Sequence, residues 1–260
     1  MNFETLCGVL IPFAGTALGA LCALGMKRDL RSALRSALSA FAAGVMLAAS
    51  VWSLLLPALE QSASLGRSRF VPAVLGFWLG VFFLSFLDRL LPLLHGGIRS
   101  ADKTGDAFRG AAMLLLAVTI HNIPEGMAVG AVYASLRSGA CGISPLSALT
   151  LSLGIAAQNF PEGAIVSLPL REAGLSGGKA VFFGMLSGAV EPIAALVMLL
   201  ASSYCIPFMP YLLSFAAGAM CYVVVEELIP SAASARRAPC GAAYFTLGFT
   251  LMMALDVALG

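Results

Sequence analysis

Eight apolar runs, each long enough to cross a bilayer as a helix, constrain this chain more than any other feature: approximately residues 6–26, 40–59, 71–94, 108–136, 146–170, 179–202, 207–229 and 242–259. A hydrocarbon core about 30 Å thick is crossed by about 20 helical residues. Inside it no water satisfies backbone N–H and C=O groups, so a crossing segment bonds them within itself, as a helix does. Composition excludes the alternative of core helices in a water-soluble domain. Hydrophobic residues make up 60% of the chain and charged residues 11%, where soluble domains carry roughly 25% charge. The expected fold class is all-α integral membrane, one polytopic unit over residues 1–260.

The first run reads as a span and not as a cleaved secretory signal. Met1 to Pro12 carries no Lys or Arg, and the cluster Lys27, Arg28, Arg31 and Arg35 follows the run instead of preceding it. Loop charge then orients the helices. The odd-numbered loops hold those four residues together with Arg99, Lys103, Arg109, Arg171, Lys179, Arg236 and Arg237, whereas the even-numbered loops hold Arg67, Arg69 and Arg137. By the positive-inside rule the odd loops face the cytoplasm and both termini lie outside. The composition makes the lipid bilayer a partner, and no nucleic-acid partner is expected.

Within this apolar background one phrase is written twice. His-Asn-Ile-Pro-Glu-Gly runs from His121 to Gly126, and Gln-Asn-Phe-Pro-Glu-Gly from Gln158 to Gly163. Each copy lies mid-run, where ionisable groups are expensive and by default mark a functional site. On a helix His121 and Glu125 are i and i+4, as are Gln158 and Glu162, while Asn122 and Asn159 sit one step round. Pro124 and Pro161 remove backbone N–H groups and are expected to open each helix locally. The fourth and fifth spans are antiparallel neighbours, so the two copies can meet at the midplane about a pseudo-two-fold axis in the membrane plane. Three spans before the pair and three after it permit a 3 + 2 + 3 arrangement.

The apolar parts of spans four to six contain Glu125, Glu162 and Glu191 but no Lys or Arg. A buried carboxylate needs a counter-charge or a proton. The chain supplies no cation, so the site invites one from outside. Imidazole and carboxylate donors suit Zn²⁺ and other first-row divalent ions. The neutral oxygens of Gln158, Asn122 and Asn159 weaken the hold, which favours release of a transported ion.

The paired motifs, the eight spans, a mid-membrane Glu in Ser-Gly-Ala-Val-Glu-Pro (Ser187–Pro192) and the Gly-Ala-Met-Cys-Tyr…Glu-Glu-Leu-Ile-Pro run (Gly218–Pro230) together resemble the ZIP (Zrt/Irt-like) family of divalent-metal transporters, particularly its prokaryotic GufA-like branch. The resemblance implies import of Zn²⁺, with Fe²⁺, Mn²⁺ and Cd²⁺ as further candidates, toward the cytoplasm through a binuclear centre between helices four and five. It places the first metal at His121, Glu125, Gln158 and Glu162. The second falls to Asn122, Asn159 and Glu191, with Glu125 and Glu162 bridging. It also implies a homodimer, an elevator-like alternating access, no enzymatic activity, and residence in a cell membrane, the bacterial inner membrane.

The chain departs from the family pattern in places. Many relatives carry His where this chain has Gln158, and some carry Asp where it has Asn159. The loop Leu94–Phe108, often His-rich in the family, offers His95, Asp102 and Asp106.

Other readings stand beside these. The same acidic centre could serve a proton- or organic-cation-handling transporter without metal, or a sensor that binds without moving ions. Metalloprotease chemistry is disfavoured, since no His-Glu-x-x-His occurs. Glu226 and Glu227 form either a cytoplasmic exit site or solvated helix-end charges. Asp88 and Arg89 read as a helix-end ion pair, and Glu60 and Asp256 as outer-face charges able to attract cations. Gly184 and Gly188 form a small-xxx-small pair for close packing, with dimerisation as one use. The six cysteines show no metal-ligand spacing, and a Cys141–Cys205 disulfide is conceivable outside.

Overall fold

A computed structural model of the chain describes residues 3–22, 24–25, 31–94, 103–139, 143–201, 204, 206–233 and 241–259. Lys27, Arg28, Arg99, Arg236, Arg237, His95, Cys141 and Cys205, together with the side chains of Arg31, Arg35, Asp88, Lys103, Arg109 and His121, lie outside that description. In chain order the helices are α1 (Phe3–Cys22), α2 (Arg31–Ala49), α3 (Leu56–Gln61), α4 (Phe70–Leu94), α5 (Lys103–Ser138), α6 (Pro145–Glu172), α7 (Gly177–Gly188), α8 (Val190–Leu200), α9 (Met209–Val223), α10 (Ile229–Ala233) and α11 (Gly241–Leu259). Among the described residues no strand occurs.

Six helical stretches in the described chain are long and apolar enough to cross a membrane: Phe3–Cys22, Ser36–Gln61, Phe70–Leu87, Gly177–Leu200, Met209–Ala233 and Gly241–Ala258. The two other long helices, α5 with 36 residues and α6 with 28, are those that carry the repeated motif.

Proline decides where the long helices deform, though not always where the sequence suggests. Helices α5 and α6 continue through Pro124 and Pro161 without interruption, so the expected local opening does not break either helix. The break falls instead at Ala189, between α7 and α8. Pro192 lacks the N–H that would bond the Gly188 carbonyl, and its ring crowds that carbonyl. In two other places the helix widens. The π-helical turns Ser50–Leu55 and Val224–Leu228 precede Pro57 and Pro230, and a widened turn makes room for each ring.

The helices form two packed groups. In one, α1 lies on α6 and α5 on α8; in the other, α2 lies on α11 and α4 on α9. The second group rests on backbone-to-backbone approach at glycines. A Cβ on Gly44 would run into the Phe245 carbonyl, and one on Gly248 into that of Phe41; a Cβ on Gly80 would run into the Phe215 carbonyl, and one on Gly218 into that of Phe77. The four sites share a Phe-x-x-Gly spacing. Thus α2 meets α11 as α9 meets α4. Ser39 and Ser231 hydroxyls, 3.0 Å apart, and a Ser36 hydroxyl donating to the Ala232 carbonyl fasten α2 to α10.

Candidate metal centre

The facing motifs on α5 and α6 meet through their side chains. Gln158 Nε2 donates to Glu125 Oε1 over 2.8 Å, and Asn159 Nδ2 donates to Glu191 Oε2 over 2.7 Å. Helix α8 and helix α1 close the group from either side because each motif ends in glycine. A Cβ on Gly126 would run into the Glu191 carbonyl, and one on Gly163 into the carbonyl of Thr16.

The two asparagines are held in matching ways. Asn122 Nδ2 donates to the Ser187 carbonyl at 3.1 Å, and Asn159 Nδ2 reaches toward the Pro12 carbonyl at 3.5 Å. Their nitrogens turned to backbone, Asn122 Oδ1 and Asn159 Oδ1 are left buried with no donor among the described residues. Glu125 Oε2 and Gln158 Oε1 are in the same condition. Asn122, Gln158 and Asn159 are wholly buried and Glu125 is 1% exposed, and an unmet buried acceptor costs about 1–3 kcal/mol. Residues 110–136, 146–170 and 180–201 contain no Lys or Arg to answer them. One carboxylate oxygen and three carboxamide oxygens without donors make a set that suits a bound cation.

Of the sequence-derived candidates, Glu125, Gln158, Asn122, Asn159 and Glu191 are thus in or directly against this group. Glu162 is buried as well, and it lines a cavity of about 70 Å³ together with Ser39, Glu227 and Ser231. Glu226, the neighbour of Glu227 on the π-helical turn, is exposed. His121 lies on α5 one turn before Glu125, and its side chain is outside the described residues. Among the described residues no three His, Cys, Asp or Glu side chains cluster closely enough to hold a metal ion by themselves. Any ion here would depend on the carboxamide oxygens, and the sequence reading assigns His121 to it as well.

At the end that reading places outside, Ser53 donates to Asp256 Oδ1 at 2.7 Å, and Asp256 and Glu60 line a cavity of about 250 Å³ with Trp52 and Ser147. Gly184 and Gly188 are used inside the chain: a Cβ on Gly188 would come within 2.7 Å of Thr16 Cβ, and one on Gly184 would run into Ser167. Three participants escaped the sequence reading, namely Thr16 and the carbonyls of Pro12 and Ser187. Carbonyls leave no mark in a sequence, and Thr16 is a lone hydroxyl in an apolar run.

The family model described as ZIP Zinc transporter matches residues 95–256. The chain is 37% identical to Zinc transporter ZIP11 of Xenopus tropicalis, an alignment covering 99% of this chain and 97% of that protein. It is 40% identical to Zinc transporter ZIPB of Bordetella bronchiseptica, covering 95% and 79%, and 35% identical to Zinc transporter GufA of Myxococcus xanthus, covering 80% and 81%. These relatives are named as transporters and not as enzymes, and with several membrane-length helices the chain is a multi-pass membrane protein. It belongs to the ZIP zinc transporter family.

Proposed function

We propose that this chain moves Zn²⁺ toward the cytoplasm by alternating access through a binuclear site between α5 and α6. The observation that carries the reading is the set of buried oxygens on Asn122, Glu125, Gln158 and Asn159 that find no donor among the described residues. His121, Glu125, Gln158 and Glu162 hold the first ion. Asn122, Asn159 and Glu191 hold the second, with Glu125 and Glu162 shared. The relatives' names support zinc as cargo, and Fe²⁺, Mn²⁺ and Cd²⁺ are alternatives with compatible donor preference. Neutral carboxamide oxygens bind less tightly than carboxylates, so the ion can leave.

In this reading α5 and α6 also cross the membrane, which completes eight spans in a 3 + 2 + 3 order with both termini outside. The equivalence of the α2–α11 and α4–α9 contacts supports an inverted pseudo-symmetry, and inverted repeats are a common basis for two oppositely open states. The cavity joining Glu162 to Glu227 supports a cytoplasmic exit past Glu226 and Glu227. The protein works as a homodimer in a cell membrane, the bacterial inner membrane.

Uptake of labelled Zn²⁺ into vesicles holding the purified protein tests this directly. Wild type should accumulate the ion and Glu125→Ala should not, although it inserts normally. Near wild-type uptake by Glu125→Ala would remove the basis of the reading.

A further inference from the structure

The two sides of the centre are built alike, yet they carry different chemistry at one station. On one side Gly126 abuts the Glu191 carbonyl of α8 and Asn122 donates to the carbonyl of Ser187, four residues before Glu191 at the end of α7. On the other, Gly163 abuts the Thr16 carbonyl and Asn159 points to the Pro12 carbonyl, also four residues earlier. Thr16 on α1 therefore stands where Glu191 stands on α8. The two side chains meet: Thr16 Oγ1 donates to Glu191 Oε1 at 3.2 Å, with both residues buried.

We infer that Thr16 is a positioning residue for the second ion, its hydroxyl fixing the Glu191 carboxylate from the side opposite Asn159. A helical threonine commonly turns its hydroxyl back to the carbonyl four residues earlier. Here that carbonyl is Pro12, which Asn159 approaches, and the hydroxyl goes to Glu191 instead. Its rotamer is confined, since a β-branched side chain is stiff at χ1 and Gly188 leaves just enough room for it. Asn159 holds Glu191 Oε2. When Asn159 turns its oxygen toward an ion, Thr16 is the donor that keeps the carboxylate from swinging away. Groups that hold a ligand in this manner typically change metal affinity about 10–100-fold when removed.

The inference rests on reading Glu191 as a ligand, and the test separates the two. Zn²⁺ bound per chain, and the affinity of the weaker ion, are measured on purified wild type, Thr16→Val, Thr16→Ala, Thr16→Ser and Glu191→Gln. Valine keeps the shape and removes the hydroxyl; alanine removes it without adding atoms, and so serves if valine does not assemble. The expected result is a weaker ion loosened about 10–100-fold in both hydroxyl-free variants, an unchanged tighter ion, and retention of both in Thr16→Ser. If Glu191→Gln loses an ion while the hydroxyl-free variants bind as wild type does, the role of Thr16 is refuted and the Glu191 reading stands. If Thr16→Ser loosens the ion as much as Thr16→Val, the methyl group is at work and the inference also fails. If Glu191→Gln binds both ions like wild type, or wild type binds a single ion, the Glu191 reading falls and takes the inference with it.

Discussion

Gln158 donates one amide hydrogen to Glu125 across 2.8 Å, joining the two motif copies, and Glu125 Oε2 and the Gln158 carboxamide oxygen are buried without a donor among the described residues. The amide thereby orients the carboxylate and offers its own oxygen beside it. Gln158→Leu removes both contributions while preserving approximate size. It should weaken Zn²⁺ binding by about 10–100-fold, as loss of a ligand-orienting group does, when measured by titration of the purified protein.

Helix approach sets where these groups sit. A Cβ on Gly163 would run into the Thr16 carbonyl, whereas a Cβ on Gly178 meets nothing within 4 Å. Gly163→Ala should destabilise the protein by about 1–3 kcal/mol, the usual range for overpacking, and should lower uptake. Gly178→Ala should leave both unchanged. Thermal stability in detergent and vesicle uptake distinguish the two variants.

What could be read in the sequence, and what could not, follows from how visible each group is against an apolar background. Glu125, Glu162 and Glu191 stand out because a carboxylate is costly in a membrane helix, and the matched spacing of the two copies brings Asn122, Gln158 and Asn159 with them. Thr16 gives no such signal, since a hydroxyl alone is tolerated anywhere in a helix. The four Phe-x-x-Gly spacings were present in the sequence, but Phe and Gly are ordinary in membrane helices, and only the reciprocal carbonyl contacts give the spacing meaning. Proline is ambiguous for a physical reason. It deletes one hydrogen bond, which α5 and α6 absorb at Pro124 and Pro161, while the same loss at Pro192 coincides with a break at Ala189.

Metal ligands bind in their deprotonated forms, so protons compete with the ion. Affinity for Zn²⁺ should therefore fall as pH falls. Titrations from about pH 7.5 to about pH 5.5 check this. Constant affinity over that range would argue against His121 as a ligand.

The two acidic residues of the π-helical turn should differ in effect. Glu227 lines the cavity that reaches Glu162, and Glu226 is exposed. Glu227→Gln should slow Zn²⁺ uptake severalfold and Glu226→Gln should do so less. Equal effects would indicate that the cavity is not the path.

X-ray absorption at the zinc edge tests whether oxygen and nitrogen groups of the paired motifs hold the transported ion. Zinc bound to the wild-type protein should show a shell of oxygen and nitrogen neighbours at about 2.0–2.2 Å, with no sulfur at about 2.3 Å. Glu125→Ala, still folded, should lose that zinc. A sulfur shell, or zinc retained with an unchanged spectrum in Glu125→Ala, would show that other groups hold the ion.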